Sequence, residues 1–314
     1  QYLDLYAMTG KRSLQKVLIG AYVSLNDLLS LRHRLSSYSE ATSTQKTGNQ
    51  SGIKLSKYNG RGIEFSEVRA YQIGDDIKSI DWRVTARKNK PHTKIFQEER
   101  EHPTIVAVDQ TQNMFFGSVA RLKSVAAAEV AARIAWQTLD LGDRVGGLVK
   151  SNTDCQLHRP RRSQKAVAKL LNSISLSNQA LNRNSKNTRG SFLEDLINLN
   201  RLSRNRYRIY LISDFEGELS NWEATISQIS RSNLVSCIHI TDPLESKLPE
   251  SGYYSVTDGI NRIQFFTGNK RTLQDYQNRF DQRCNQIQDI CAKQAVKYKR
   301  VETSEENLDL VRLY

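Results

Sequence analysis

The sequence predicts an α/β fold, a doubly wound and mainly parallel sheet preceded by a smaller N-terminal region of short strands and one helix. Three observations predict it. Apolar runs of strand length, TIVAVD from residue 104, RVGGLVK from 144, YRIYLISD from 207 and LVSCIHIT from 234, recur with helix-length segments between them. These runs are rich in apolar residues at successive positions without a strict alternation, as strands covered on both faces require. Upstream, from Ile53 to Glu101, the chain is dense in charges, aromatics and glycines and shows no long helical period, which reads as short strands and turns. The expected division is therefore 1–102, holding a helix, a loop and an accessory β region, and 103–314, the α/β domain.

Each element has its own warrant. Leu14, Leu18, Ala21, Leu25, Leu28 and Leu35 follow helical spacing with Arg32 as one missed step, predicting an amphipathic helix over 14–35, for which docking on its own domain is favoured over a partner-binding or membrane-surface role. Residues 36–52, SSYSEATSTQKTGNQSG, hold almost nothing apolar and read as a loop. After TIVAVD an Ala-rich helix is expected over 120–140, then the RVGGLVK strand, helices over 163–175 and 191–203, the YRIYLISD strand, a helix over 220–231 and the LVSCIHIT strand. Leu273, Tyr276, Phe280, Cys284, Ile287 and Cys291 share one face of a long helix, and VKYKRV forms a last strand. Strands alternating with helices imply right-handed crossovers and a parallel sheet with helices on both faces.

Composition narrows the function classes. The 314 residues carry 46 Lys+Arg against 33 Asp+Glu, a net charge of +13. The excess divides almost evenly on either side of Pro103. Local runs exist, Arg159, Arg161, Arg162 and Lys165, then Arg201, Arg204, Arg206 and Arg208, but none alternates with aromatics as a single-strand binding platform would. Solubility or an acidic protein partner is the favoured reading of this charge over nucleic acid. No apolar stretch approaches the ~18 residues of a membrane span, so a cytoplasmic chain is expected, with peripheral membrane contact left open. Cys155, Cys237, Cys284 and Cys291 form no CxxC pair and read as buried thiols; Cys155 and His158 lack partners of zinc spacing.

In a doubly wound sheet, ligands gather beyond the carboxyl ends of the strands where strand order reverses. TIVAVD ends in Asp109, Thr111 and Asn113, YRIYLISD ends in Asp214, and Ser191 starts an intervening helix. Five hard oxygen donors, Asp109, Thr111, Asn113, Ser191 and Asp214, would suit Mg²⁺ or a similar small divalent ion. The alternative is structural: Asp109 and Thr111 cap a turn, and Ser191 is a helix N-cap with Glu194 at the third helical position. Catalytic motifs are lacking, with no GxxxxGK[ST], GxSxG or HExxH. Thr111 stands where a DxDx(T/V) phosphatase needs its second carboxylate. Before Pro103, Arg69, Asp75, Asp76, Asp81, Arg83, Arg87, Glu98, Glu99 and Arg100 alternate in sign around Trp82, read as salt-bridged packing in preference to a docking surface.

The run GRGIEFSEVRAYQIGDDIKSIDWRVTAR, followed by FQEERE, VAVDQTQNMFFGS and GDRVGG, closely resembles the bacterial domain-of-unknown-function family fifty-eight. Members resemble von Willebrand factor A domains and are associated with MoxR-type AAA+ ATPases. The resemblance implies a metal-ion-dependent adhesion site (MIDAS) with Asp109, Thr111, Asn113, Ser191 and Asp214 as ligands of Mg²⁺ or Mn²⁺, although Asn113 puts an amide where the pattern has a hydroxyl. It further implies a non-catalytic protein–protein interaction module that works with such an ATPase on an unidentified client in chaperone-like maturation. Two alternatives from other classes are a divalent-metal-dependent phosphoester hydrolase and a nucleic-acid-binding protein.

Overall fold

The structure, a computed structural model, describes residues 17–32, 63–88, 90–98, 103–182, 191–202, 206–248, 252–257, 262–266 and 270–305. The chain divides into two units, Lys46–Glu101 and a second made of Gln1–Gln45 with His102–Tyr314. The leading segment thus groups with the α/β part and not with the accessory region. Its helix α1 covers 25–32.

The accessory unit is built on an antiparallel pair, β1 (Ile63–Ala70) and β2 (His92–Glu98), with a helix α2 (Trp82–Lys88) between them. Register runs from Ile63 opposite Glu98 to Ala70 opposite His92, with a bulge between Phe65 and Glu67. The connection is held by acids on backbone donors. The Asp75 carboxylate accepts from Gln72 N at 3.0 Å and Arg69 Nη2 at 2.7 Å, Asp76 caps a 3-10 turn at Ile77–Ser79, and Asp81 Oδ1 accepts from Arg83 N and Val84 N. The sequence pattern missed α2, whose two turns are too short for a period to register.

The α/β unit continues with β3 (Thr104–Gln110), α3 (Lys123–Asp140), β4 (Val145–Ser151), β5 (Cys155–Arg161), α4 (Gln164–Gln179), α5 (Phe192–Leu202), β6 (Arg208–Ser213), α6 (Leu219–Ser230), β7 (Leu234–Thr241), the single turn α7 (Pro243–Ser246), the hairpin β8 (Tyr253–Thr257) and β9 (Arg262–Phe266), α8 (Lys270–Lys293) and β10 (Lys297–Glu302). Six strands form one sheet in the order β10-β7-β6-β3-β4-β5. All neighbours are parallel except β4 and β5. Strand order reverses between β3 and β6, which fixes the crevice between their carboxyl ends.

Alternation along the strands sorts the core into two layers. Val106 and Val108 of β3, with Tyr210 and Ile212 of β6, face α1, α3 and α4; Ile105, Ala107, Ile209 and Leu211 face α5, α6 and α8. The Ala-rich α3 is buried on nearly every side from Lys123 to Trp136. Small side chains let it lie close to the sheet while α1 covers its outer face.

The expected helix over 14–35 is shorter in the described residues. Residues 17–24 are non-helical because Gly20, at φ 113, bridges to Arg121. The helix starts behind a reciprocal cap in which Asp27 N donates to Ser24 Oγ and Ser24 N to the Asp27 carboxylate. It docks on its own unit, as the amphipathic pattern predicts: Leu28 and Leu31 are buried, and Trp136 Nε1 donates to Leu28 O at 3.1 Å. The expected helix residues 14–16 and 33–35, and the predicted loop 36–52, lie outside the described residues. The hairpin β8–β9 and the edge strand β5 were not anticipated. No described helix is long and apolar enough to cross a membrane.

Candidate functional site

The crevice between β3 and β6 collects the polar side chains of the sheet's carboxyl edge. Val108 pairs with Ile212, so Asp109 is level with Ser213, whose hydroxyl donates to Asp109 Oδ2 at 3.0 Å. Asp109 Oδ1 accepts from Thr111 N at 3.0 Å, closing the turn that leaves the strand. Asp214 Oδ1 accepts from Glu216 N at 3.1 Å in the same way. Both carboxylates are buried, and Phe215 beside them sits at φ 52, where a bulky side chain is disfavoured. Arg283 Nη2 donates to both Phe215 O and Gly217 O at 2.6 Å, pinning this loop to α8.

Lys123, in the first turn of α3, completes the arrangement. Its ammonium donates to Asp214 Oδ2 at 3.0 Å and Glu245 Oε1 at 2.7 Å, and it is itself buried. Glu245 belongs to a capping box on α7, accepting from Asp242 N at 2.8 Å. Asp242 in turn takes hydrogen bonds from Ser118 N at 2.9 Å, from the Ser118 hydroxyl, and from Thr303 Oγ1 at 2.6 Å. One polar chain therefore links the ends of β3, β6, β7 and β10.

Charges follow from this geometry. Burial, with the charge of Asp214 second, pushes the Asp109 carboxyl up to about 6, against the hydrogen bonds from Thr111 and Ser213. Burial alone would lower Lys123, but Asp214 and Glu245 more than offset it and hold the ammonium above its ordinary range. A firmly protonated lysine is neither a nucleophile nor a base. His239 on β7 packs edge-on against Phe215 and shares a 2.8 Å hydrogen bond with Tyr298; burial pulls its ring down to about 4.

Of the five predicted ligands, the structure brings Asp109 and Asp214 together. Thr111 is buried beside Asp109, to which it gives its backbone N–H. Asn113 is exposed, and Ser191 is an exposed N-cap whose hydroxyl accepts from Leu193 N at 3.2 Å, the structural role weighed for it from sequence. Among the described residues no three His, Cys, Asp or Glu side chains are grouped to hold a metal ion. The donor set does not fit a divalent ion, because the counter-charge to Asp214 is already the Lys123 ammonium. Lys123, Asp242 and Glu245 were missed from sequence. Asp242 carries a readable signal, standing directly after LVSCIHIT as Asp214 stands after YRIYLIS, whereas nothing marks Lys123.

Fold and crevice define the chain as a doubly wound α/β protein whose strand-order reversal carries two buried aspartates, one of them paired with a buried lysine. It belongs to the DUF58 family of proteins of unknown function, whose pattern matches residues 67–285. It is 31% identical over 212 residues to the uncharacterized proteins Mb1516 of Mycobacterium bovis and Rv1480 of Mycobacterium tuberculosis, covering 68% of this chain. The match spans 65% of the length of these curated relatives. Among solved structures it is similar to the conserved hypothetical protein BatB from Bacteroides thetaiotaomicron, with 17% identity, 65% of this chain and 91% of that chain covered and a TM-score of 0.42. An aerotolerance-related membrane protein from Bacteroides fragilis gives 17% identity, 65% and 92% coverage and a TM-score of 0.41.

Proposed function

We propose that the chain is a non-catalytic, von Willebrand factor A-like interaction module that offers the rim around the β3/β6 crevice to a protein partner. By the family resemblance, the partner is a MoxR-type AAA+ ATPase and the pair acts on a client protein in maturation. The observation that carries the reading is an apolar surface beside the crevice. Phe116 and Val119, in the loop leaving β3, and Ile19 and Tyr22, in the leading segment, are exposed large side chains. The two segments are joined by the Gly20–Arg121 bridge and by the Tyr22 and Phe115 rings at 5.8 Å. Such a patch next to fixed polar groups is the composition of an interface core with its rim. A catalytic role finds no support in the crevice, where each Asp oxygen accepts a hydrogen bond and the lysine is protonated.

The test is binding of the purified chain to the MoxR-type ATPase encoded in the same genome, followed by calorimetry. Phe116→Ser with Val119→Asp is expected to weaken binding at least about tenfold, as loss of interface anchors does. Unchanged affinity in that variant removes the rim from the interface. Hydrolysis of a generic phosphoester by the wild type, abolished by Asp109→Asn, replaces the reading with an enzymatic one.

A further inference from the structure

In the connection between β1 and β2 the acids are tied to backbone donors and the cations stand in water. Asp75, Asp76 and Asp81 each accept from backbone N–H groups of the β1–β2 connection. Between residues 77 and 90 the chain carries five cations, Lys78, Arg83, Arg87, Lys88 and Lys90, against the single acid Asp81, and all five are exposed. The same connection holds large apolar side chains in water: Ile73 is 103% exposed, Trp82 68% and Ile77 65%. On α2, Trp82, Arg83, Ala86 and Arg87 are exposed while Val84 and Thr85 are not, so one helical face carries the indole together with both guanidinium groups.

A lone exposed apolar residue needs no explanation. Three within ten residues, on a turn clamped by side-chain caps, are held in water against their transfer free energy. We propose that this turn and helix dock the chain on an anionic lipid bilayer, with Ile73, Ile77 and Trp82 entering the acyl boundary and the five cations among the headgroups. Indole rings favour the headgroup level, lysine and arginine stems lie along apolar surface with their charges in water, and the anionic leaflet supplies the opposite potential. A single-stranded nucleic acid would be met by several stacking aromatics, and here one indole stands with two aliphatic chains. A protein partner would have to bring a pocket shaped to the fully exposed Ile73, while an acyl boundary accepts any apolar shape. The inference is independent of the strand-end rim.

Trp82 is its own reporter, since Trp136 and Trp222 are each 4% exposed. The full chain is mixed with phosphatidylcholine vesicles and with vesicles containing phosphatidylglycerol, and followed by flotation and tryptophan emission. The expected result is flotation with the anionic vesicles, a blue shift of emission, and quenching by brominated acyl chains. Partition should fall about tenfold or more in Ile73→Ser/Trp82→Ala and in Lys78→Glu/Arg83→Glu, and be retained in Trp82→Phe, as burial of one or two apolar side chains and loss of headgroup attraction require. Unchanged far-UV circular dichroism in each variant separates lost docking from lost folding. Equal partition into neutral vesicles, no flotation, or flotation without a shift in emission overturns the proposal. So does a Trp82 response to polyglutamate or to a DNA oligomer in the absence of any response to vesicles.

Discussion

At the scale of single residues, the crevice works through Lys123. Its ammonium and the Asp214 carboxylate are buried together at 3.0 Å, so removing one partner strands the other. Lys123→Met is expected to lower unfolding free energy by about 3–5 kcal/mol in urea, the usual cost of an uncompensated buried charge. Adding Asp214→Asn should recover part of it, giving a coupling of about 1 kcal/mol or more in the double-mutant cycle. Because the Lys123 ammonium already occupies Asp214 Oδ2, calorimetric titration with Mg²⁺ or Mn²⁺ should evolve no binding heat; heat that vanishes in Asp109→Ala would restore the ion. His239 gives a pH prediction. Its folded value of about 4 lies below the ordinary 6.5, so from 6.5 downward the unfolded chain takes up a proton that the folded chain does not. Stability from this group is complete above 6.5 and is lost as pH falls towards 4, by up to about 3 kcal/mol. Melting temperature against pH should therefore fall more steeply below 6.5 in the wild type than in His239→Gln. Asp109 and Asp214 were readable because they end apolar runs. Lys123 was not, because a lysine in the first turn of a helix looks like any solvated cation until the strand order places it.

Among the elements, the strands of the sheet were legible except the edge strand β5. TIVAVD, YRIYLIS and LVSCIHIT carry apolar side chains at successive positions (Ile105–Val108, Ile209–Ile212) because both faces are covered, and such runs have few other readings. By contrast β5, CQLHRPR, is an antiparallel edge with half of its residues in water, so it carries no apolar run. Its presence explains one of the two glycines of β4, and the packing of α4 on β4 explains the other. A Cβ at Gly146 would lie 2.3 Å from His158 O, and one at Gly147 would lie 2.4 Å from Leu170 Cδ1 on α4. Gly146→Ala presses on backbone alone, whereas Gly147→Ala presses on the Leu170 side chain, which can turn, and on Val106 O at 2.9 Å. Both should destabilise by about 1–3 kcal/mol, the usual range for overpacking, with Gly146→Ala the worse in thermal unfolding. The shortened leading helix has a similar lesson: its leucine spacing runs through Gly20, but the left-handed φ there and the Ser24 cap decide where the helix begins.

For the molecule as a whole, Glu129 joins three remote parts of the chain. Its carboxylate takes Leu18 N at 2.9 Å, Arg121 Nη1 at 2.5 Å and the Arg133 guanidinium at 2.6 Å, all buried. Arg121 then reaches Thr303 O at 3.1 Å and Glu305 O at 3.2 Å. Glu129→Ala leaves two buried guanidinium groups without their anion, and the expected loss is again about 3–5 kcal/mol. Amide exchange should quicken first at Leu18 and along β10, the two segments that the cluster fastens. Sequence periodicity could not announce this, since Glu129 and Arg133 sit four apart on an Ala-rich helix and look like an ordinary surface pair. The cluster also sets an order of events during synthesis. While the chain emerges from the ribosome, the amide of Leu18 must wait for α3, and Arg121 must wait for carbonyls that lie 182 and 184 residues downstream of it. The nascent protein can hold a nearly finished sheet with its carboxyl edge still unlatched, a window in which a chaperone would find that edge open.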